Sequence, residues 1–528
     1  QQKNYVIILE GKYILTYDLG TSGNKTALFD INLNLISQTR INYPLYYPKL
    51  GWAEQNPEDY WDAVKRGTNT LINQTNINPD DILAIAFDCQ MNCTIPVDNK
   101  GTPLINAIHW LDTRAASVTQ KFSKGLIKIS GYSLKKILMF LKITGGAPGF
   151  NGKDPISHIL WIKENQPEIY EKTHKFLSVK DFVIYRCTKN AITSRDLGNT
   201  AWMMDSNPGK FNWSDRILTK FKIDKEKLPE IKKSTEISGD LTIESSKELN
   251  LKSGIPVFVS SGDITSAALG SGGILNNKMI ICLGTSNWVA AHTSKRVKDL
   301  SHYTGCISSS QENYLCISKQ ETGATCLDWI VQQAFQNELE RFKGNSDELY
   351  LYLDSLTEKV EVGSKNLIFT PWMFGERSPI NDPTVRGGFY NLSLEHTRDD
   401  LLRSVYEGVA YNIKWSLIFV EKLVGKSDEI YCIGGGVKSD IWCQILADIL
   451  ERKIIQMEDP ELAAAKGSAI ISMVGLGILK QFSDAIPLIK VKKMFSPNKN
   501  NKLLYEKIFE EYINIYKRNK KMFKNLNL

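Results

Sequence analysis

The sequence predicts an α/β protein of two large domains, and three observations carry that expectation. The chain has 528 residues, too many for a single hydrophobic core. Strand and helix patterns are both well supplied, in a composition that is 42% hydrophobic and 23% charged, as in globular proteins. A unit of strand, Gly-Thr-Ser turn and strand occurs at 18–29 and again at 279–292, as internal duplication would leave it.

Residues 12–18 read as a buried strand ending in the turn Gly20-Thr21-Ser22-Gly23, and 25–29 as the strand that returns from it. A turn at 30–34 leads into a third strand, 35–43, which completes a meander. Asn56 followed by Pro57 marks the N-cap and first position of a helix over 57–72. A buried strand follows at 82–88, so the first hundred residues run β-β-β-α-β, a sheet flanked by helices. In the second half, 256–260 reads as a strand and 264–269 as a helix. The Gly-, Ser- and Asn-rich stretch 270–277 is the expected hinge, which divides the chain into domains 12–272 and 273–528. Beyond it lie strands at 279–283 and 288–292 around the turn 284–287. A further strand, 429–433, runs into Gly434-Gly435-Gly436 and a helix over 440–450.

Composition narrows the function classes. No apolar run reaches the length of about 18 residues that a membrane helix needs. The apolar stretch 5–9 is ended by Glu10 and is too short for a signal peptide. The chain opens on Gln1 rather than Met, which leaves room for an upstream start. Nine cysteines, an odd number, argue for buried thiols in a reducing compartment and against a disulfide framework. Cys89 and Cys93 form the one close pair and have no partners for a zinc set. The net charge of +7 gathers in 490–524, where Lys alternates with apolar residues. That pattern reads as the solvated face of a C-terminal helix, with nucleic-acid or membrane binding as the alternative.

A tight hairpin of Gly and Thr can offer backbone N–H groups and a hydroxyl to a phosphate without side-chain bulk. Either hairpin alone could be an ordinary turn; two, each after a buried strand, point to phosphate binding by Thr21 and Ser22 and by Gly284 and Thr285. Asp18 ends the first strand beside its turn. An acid there would repel phosphate unless a divalent cation intervened, which makes it the candidate metal residue. Asp263, just after the strand 256–260, is either a helix cap or a base that takes a proton from an attacking hydroxyl. The glycines at 434–436 are either a plain βα turn or an approach for a flat nucleoside. Walker and Rossmann sites are disfavoured: Gly425-Lys426-Ser427 has Val420 where the earlier glycine should stand, and no Gly-x-Gly-x-x-Gly follows a strand.

Taken in order, these segments resemble the FGGY carbohydrate kinases, within the superfamily of sugar kinases, actin and the large heat-shock ATPases. The resemblance runs from Tyr17 to about Gly475. It rests on Asp18-Leu19-Gly20-Thr21-Ser22, Gly51-Trp52-Ala53-Glu54-Gln55, Trp110-Leu111-Asp112-Thr113-Arg114 and the segment from Asp154 to Trp161. In the second half it rests on Leu283-Gly284-Thr285-Ser286, Gly375-Glu376-Arg377-Ser378-Pro379, the glycines before Ser439, and Ala465-Lys466-Gly467-Ser468-Ala469. It implies two actin-like (ribonuclease H-like) domains with a central cleft, an ATP- and Mg2+-dependent reaction, and Asp263 as catalytic base. Asp18 would orient magnesium, Thr21 and Thr285 would face phosphates, and Gly435, Gly436 and Ser439 would line the adenosine pocket. Met91, Asn92, Asp112 and Asp263 would bind the sugar, with Trp110 or Trp52 packing nearby.

Within the family the chain resembles xylulokinases most, which implies phosphorylation of D-xylulose to D-xylulose 5-phosphate in the cytoplasm. Glycerol kinases carry Arg-Glu where this chain has Met91-Asn92. Four positions depart from the pattern: Asn92 for a common His, Ile264 for an amide residue, His158 for Lys and Asn391 for Gly. Another ketose or polyol (ribulose, erythrulose, gluconate) and an inactive binding protein of the same fold are the competing readings. The partners expected are a small sugar and MgATP, without nucleic acid or membrane, and a homodimer is compatible with this reading.

Overall fold

The computed structural model describes residues 11–124, 128–129 and 132–527; the apolar stretch 5–9 lies outside them. The described chain forms two compact units. One comprises residues up to 270 with 307–314 and 464–488; the other comprises 271–306, 315–463 and 489 onward.

The first unit is built on a six-stranded sheet. Its strands are β1 (Tyr13–Leu19), β2 (Gly23–Asp30), β3 (Leu35–Asn42), β4 (Ile82–Cys89), β5 (Ile237–Asp240) and β6 (Pro256–Phe258), in the order β5-β6-β4-β1-β2-β3. The meander β1-β2-β3 is antiparallel, whereas β4 runs parallel to β1 and β6 runs parallel to β4. β1 is buried almost throughout, as a central strand covered on both faces must be. α1 (Pro57–Thr75) crosses from the meander to β4; the Asn56 side chain accepts from Glu58 N at 3.2 Å and Pro57 opens the helix, which is the cap the sequence predicts. α2 (Pro155–Asn165), α3 (Arg195–Thr200) and α4 (Asp263–Gly270) carry residues used below.

The second unit repeats the plan. β7 (Met279–Leu283) and β8 (Asn287–Thr293) form an antiparallel hairpin, and β9 (Glu429–Ile433) runs parallel to β7. With β10 (Lys453–Met457) and β11 (Val491–Phe495) they are five of the eight strands of its sheet, in the order β8-β7-β9-β10-β11. Its helices include α5 (Ser346–Lys359), α6 (Arg398–Val424), α7 (Asp440–Leu450), α8 (Ala463–Gly475) and α9 (Lys502–Asn527). α9 buries Tyr505, Ile508, Phe509, Tyr512, Ile515, Tyr516 and Phe523, so the basic segment 490–524 is an amphipathic helix with a packed face only from Lys502; its first part, at 491–495, is the edge strand β11.

Most of α8 belongs to the first unit, although a division at 272/273 gives it to the second. Gly467 explains why: a Cβ there would lie 1.8 Å from the Ser266 carbonyl oxygen, so only glycine lets α8 meet α4 backbone to backbone. The Ser468 hydroxyl then donates to Asp88 Oδ2 at 2.8 Å. Eight of the nine cysteines are buried and all are free, as expected; Cys282 is only partly buried because its strand runs out into the β7-β8 turn. Among the described residues no helix is long and apolar enough to cross a membrane.

Candidate active site

The parallel register of β1 and β4 sets Asp18 opposite Asp88, and both are buried. Lys25, returning on β2, donates to Asp18 Oδ2 at 2.9 Å; the Asp18 charge is the main reason its ammonium is held above the usual lysine range. Burial, and after it the Asp18 charge, push Asp88 well above the usual carboxylate range, and the charge of Asp263 adds to the effect. The structure therefore brings Asp18, Asp88 and Asp263 within electrostatic reach inside one unit. Sequence reading missed Asp88, although it is a strand-terminal acid like Asp18.

Asp263 is the first residue of α4 and is partly exposed. Its Oδ1 accepts the N–H of Ile264 at 2.8 Å, so it satisfies one orphan donor of the helix start. The turn before it is held by Asp196 on α3, a second residue missed from sequence. Asp196 is 1% exposed; its Oδ2 accepts Gly262 N at 2.7 Å and also the Thr265 hydroxyl.

The first hairpin turn is closed by Gly20 N donating to Gly23 O at 3.0 Å. Beneath it lies a polar network with Gln90 at its centre. Gln90 Oε1 accepts from Thr21 Oγ1 (3.1 Å) and faces His109 Nε2 (2.7 Å), while its Nε2 donates to Gln55 Oε1 (2.7 Å). Trp110 Nε1 donates to Thr21 Oγ1 at 3.1 Å. Burial lowers His109 to about 3, so the ring is neutral. Its Nδ1 accepts Leu111 N, which puts the proton on Nε2, aimed at Gln90. Thr21 thus gives its hydroxyl proton to the scaffold, and the backbone of the turn is what it presents outward. Ser22 is exposed and accepts from Arg40 Nη2 at 2.7 Å.

The sugar-site expectations divide. Met91 packs at Gly262, beside Asp263: a Cβ on Gly262 would lie 2.9 Å from Met91 Cγ. Asn92, in left-handed backbone at φ +64°, donates from Nδ2 to Asp154 Oδ1 at 3.3 Å. Asp112 is turned inward. Its Oδ2 accepts Ala53 N at 2.6 Å, its Oδ1 accepts Arg114 N at 2.8 Å, and Arg114 Nε reaches both oxygens at 3.0 Å. That carboxylate holds the Trp110–Arg114 turn. Trp52 carries the Arg114 guanidinium 3.6 Å from its ring centroid and packs edge-on to Trp161, in the same supporting cluster. Of the remaining departures, Asn391 sits at φ +67°, the conformation in which Asn substitutes best for glycine. His158 is buried, paired with Thr94 Oγ1 at 3.0 Å, and lowered by burial to about 3.

In the second unit, Thr285 and Ser286 are exposed at the tip of the β7-β8 turn. The loop after residue 320 braces that turn from behind, with Gly323 N on Thr285 O (2.9 Å) and Ala324 N on Gly284 O (2.8 Å). Gly434, at φ +93°, passes over the end of β7; a Cβ there would lie 2.6 Å from Leu283 O. Gly435 has open space where its side chain would be, which suits the close approach of a flat ligand. Ser439 caps α7, accepting Trp442 N at 3.1 Å, and donates to Asp354 Oδ1 at 2.8 Å. Its hydroxyl proton is therefore given to the protein, and its structural role is that of a cap. Asp354 on α5, raised to about 6 chiefly by burial, also accepts from Tyr406.

Two units of one plan, each presenting a Gly-Thr-Ser turn after a buried strand, define a two-domain phosphotransferase of the actin-like superfamily. The chain belongs to the FGGY family of carbohydrate kinases: its N-terminal domain profile matches residues 13–270 and its C-terminal domain profile matches 279–476. It is accordingly an ATP-dependent sugar kinase. It is 29% identical over 516 residues to a xylulose kinase of Staphylococcus epidermidis, covering 97% of this chain and 98% of that one. Among solved structures it matches a xylulose kinase of Lactobacillus acidophilus at TM-score 0.85 and 25% identity, covering 98% of this chain and 100% of that one. A gluconate kinase of the same organism matches at the same TM-score and identity, covering 98% and 99%.

Proposed function

We propose that this kinase transfers the γ-phosphate of MgATP to a hydroxyl of a ketopentose, D-xylulose before others, to give D-xylulose 5-phosphate. The observation that carries the reading is the acid set of the first unit: Asp18 and Asp88 in register on parallel strands, with Asp263 heading α4 beside Met91. Xylulose kinases of similar sequence and fold support the sugar, as does Met91-Asn92 in place of the Arg-Glu of glycerol kinases. Gluconate is the second reading, because a gluconate kinase matches the fold equally well.

In this mechanism Asp263 is the base. Buried acids flank it, while its own carboxylate is partly exposed, so it is the one placed to meet a substrate hydroxyl. It takes the hydroxyl proton as that oxygen bonds to the γ-phosphorus and the bond to ADP breaks. The backbone of the turn at 20–23 and the turn at 284–286 position phosphate oxygens. Gly435 and Gly436 admit the nucleoside. Domain 12–272 thereby serves the sugar and domain 273–528 the nucleotide, in a cytoplasmic enzyme.

Magnesium fits Asp18. Lys25 takes Oδ2, whereas Oδ1 lies toward the turn, 3.9 Å from where a Cβ on Gly20 would stand. Among the described residues no cluster of three metal-ligating side chains occurs, which suits an ion held by one carboxylate, water and nucleotide phosphates. Such an ion supplies charge neutralisation between the acid and the phosphates.

A coupled ADP-release assay with MgATP tests the reading against D-xylulose, D- and L-ribulose, L-xylulose, erythrulose, glycerol and gluconate. Strongest turnover of a ketopentose is the expected result. Turnover of gluconate alone, or no sugar above the sugar-free rate, would overturn it.

A further inference from the structure

We propose that Asp154 sets sugar selectivity as a positioning residue, by orienting Asn92 and Trp202 as one wall of the sugar site; the inference rests on the sugar-site reading above. Asp154 is buried at the start of α2. Its Oδ1 accepts from Trp202 Nε1 at 2.9 Å and from Asn92 Nδ2 at 3.3 Å, and its Oδ2 accepts Gly149 N at 2.7 Å. One carboxylate therefore ties its own loop before α2, through Gly149, to two segments distant in sequence: the turn after β4 that carries Asn92 and the turn after α3 that carries Trp202.

Two of the joined residues, Trp202 and Asn92, have an unusual conformation or an unmet need. Trp202 lies at φ +59°, a left-handed backbone that a bulky side chain adopts only when its surroundings impose it. Its ring is seated against Gly146, where a Cβ would come within 2.5 Å of Trp202 Cζ3, and it remains partly exposed. Asn92 donates its amide to Asp154, which fixes the flip of the side chain. Its Oδ1 is buried without a hydrogen-bond partner among the described residues. An orphan acceptor of that kind costs stability unless a ligand hydroxyl supplies the donor. The neighbour of Asn92 is Met91, which packs at Gly262 next to Asp263, so this wall borders the proposed base. A sugar hydroxyl donates to Asn92 Oδ1, and the sugar's C–H face lies on the Trp202 ring. A site built on such a fixed acceptor rejects an epimer that cannot reach it.

The test compares wild type with Asp154→Asn, Trp202→Phe and Asn92→Leu. Steady-state kinetics are run with D-xylulose and its 3-epimer D-ribulose, or with the best ketose of the panel and its epimer. Asp154→Asn must turn an amide N–H toward at least one of these donors, and Trp202→Phe keeps an aromatic face but removes the indole donor. The KM of the better sugar should rise on the order of 10- to 100-fold in each variant, with kcat at saturating sugar and the KM of MgATP little changed. The preference between epimers collapses toward unity. A purely structural role would lower the melting temperature while leaving the epimer ratio intact. That result, or wild-type sugar KM values in folded Trp202→Phe and Asn92→Leu, would overturn the inference with the kinase reading untouched. A wild type inactive on every sugar would overturn both.

Discussion

Replacing Asp196 with Ala separates the machinery that holds the proposed base from the base itself. Asp196 touches no predicted ligand, yet its Oδ2 accepts Gly262 N at 2.7 Å and the Thr265 hydroxyl, on either side of Asp263. Asp196→Ala leaves Gly262 N buried without its acceptor, while the Thr265 hydroxyl still has the Gly262 carbonyl oxygen at 3.0 Å. One orphaned donor costs about 1–3 kcal/mol, less than the 5–15 kcal/mol or so that holds a typical domain folded. The chemical consequence is larger in proportion, because a shift of about 1 Å at a reacting group can cost about 10²-fold in rate. We expect kcat to fall about 10- to 100-fold in Asp196→Ala, with the KM of MgATP unchanged. Asp196→Asn retains an oxygen for both donors, puts an amide NH2 at the buried Oδ1 position and loses the charge, which roughly halves such bonds; its kcat should fall less than about tenfold. ADP release at saturating substrates, beside a thermal melt of each variant, measures both quantities. A folded Asp196→Ala enzyme with wild-type kcat would refute the claim that this carboxylate positions the base.

Other perturbations follow from the same geometry. Asp263→Asn should preserve the fold and ATP binding while turnover falls about 10²–10⁴-fold, and near-normal turnover in a pure sample would remove Asp263 from the base role. Asp18→Ala should weaken the magnesium dependence of turnover, and an unchanged magnesium titration would exclude it from the metal site. Glu376 is buried, accepts from Asn412, Glu321 N and Arg377 N, and is raised to about 7, chiefly by burial. Because the folded state holds its proton more tightly than the unfolded state, ionisation destabilises the fold as pH rises from about 4.5 to 7. The melting temperature of wild type relative to Glu376→Gln should therefore decline across that window; a parallel pair of profiles would contradict the burial argument.

Much of this was legible in the sequence, for local reasons. The turns at 20–23 and 284–286 follow apolar strands directly, and Asn56-Pro57 is a helix start written in adjacent residues. Asp18 and Asp263 stood out because each ends a strand or heads a helix. Asp88 carried the same signal, but only the pairing of β4 with β1 shows that two such acids face each other. Asp196 and Gly262 lie 66 residues apart, and no local pattern announces a bond of that span. Asp112 was misplaced toward the sugar although its partner, Arg114, stands two residues on; a guanidinium that near is a hint that a carboxylate is already engaged. Ser439 shows a related ambiguity: a hydroxyl before a helix reads equally as cap or ligand, and the structure shows the cap.

The most direct test of the central claim is the identity of the product. Wild-type enzyme incubated with D-xylulose and MgATP, followed by 31P NMR, should show a sugar phosphomonoester that grows in step with ADP. ADP accompanied only by inorganic phosphate, or no consumption of ATP at all, would contradict the account.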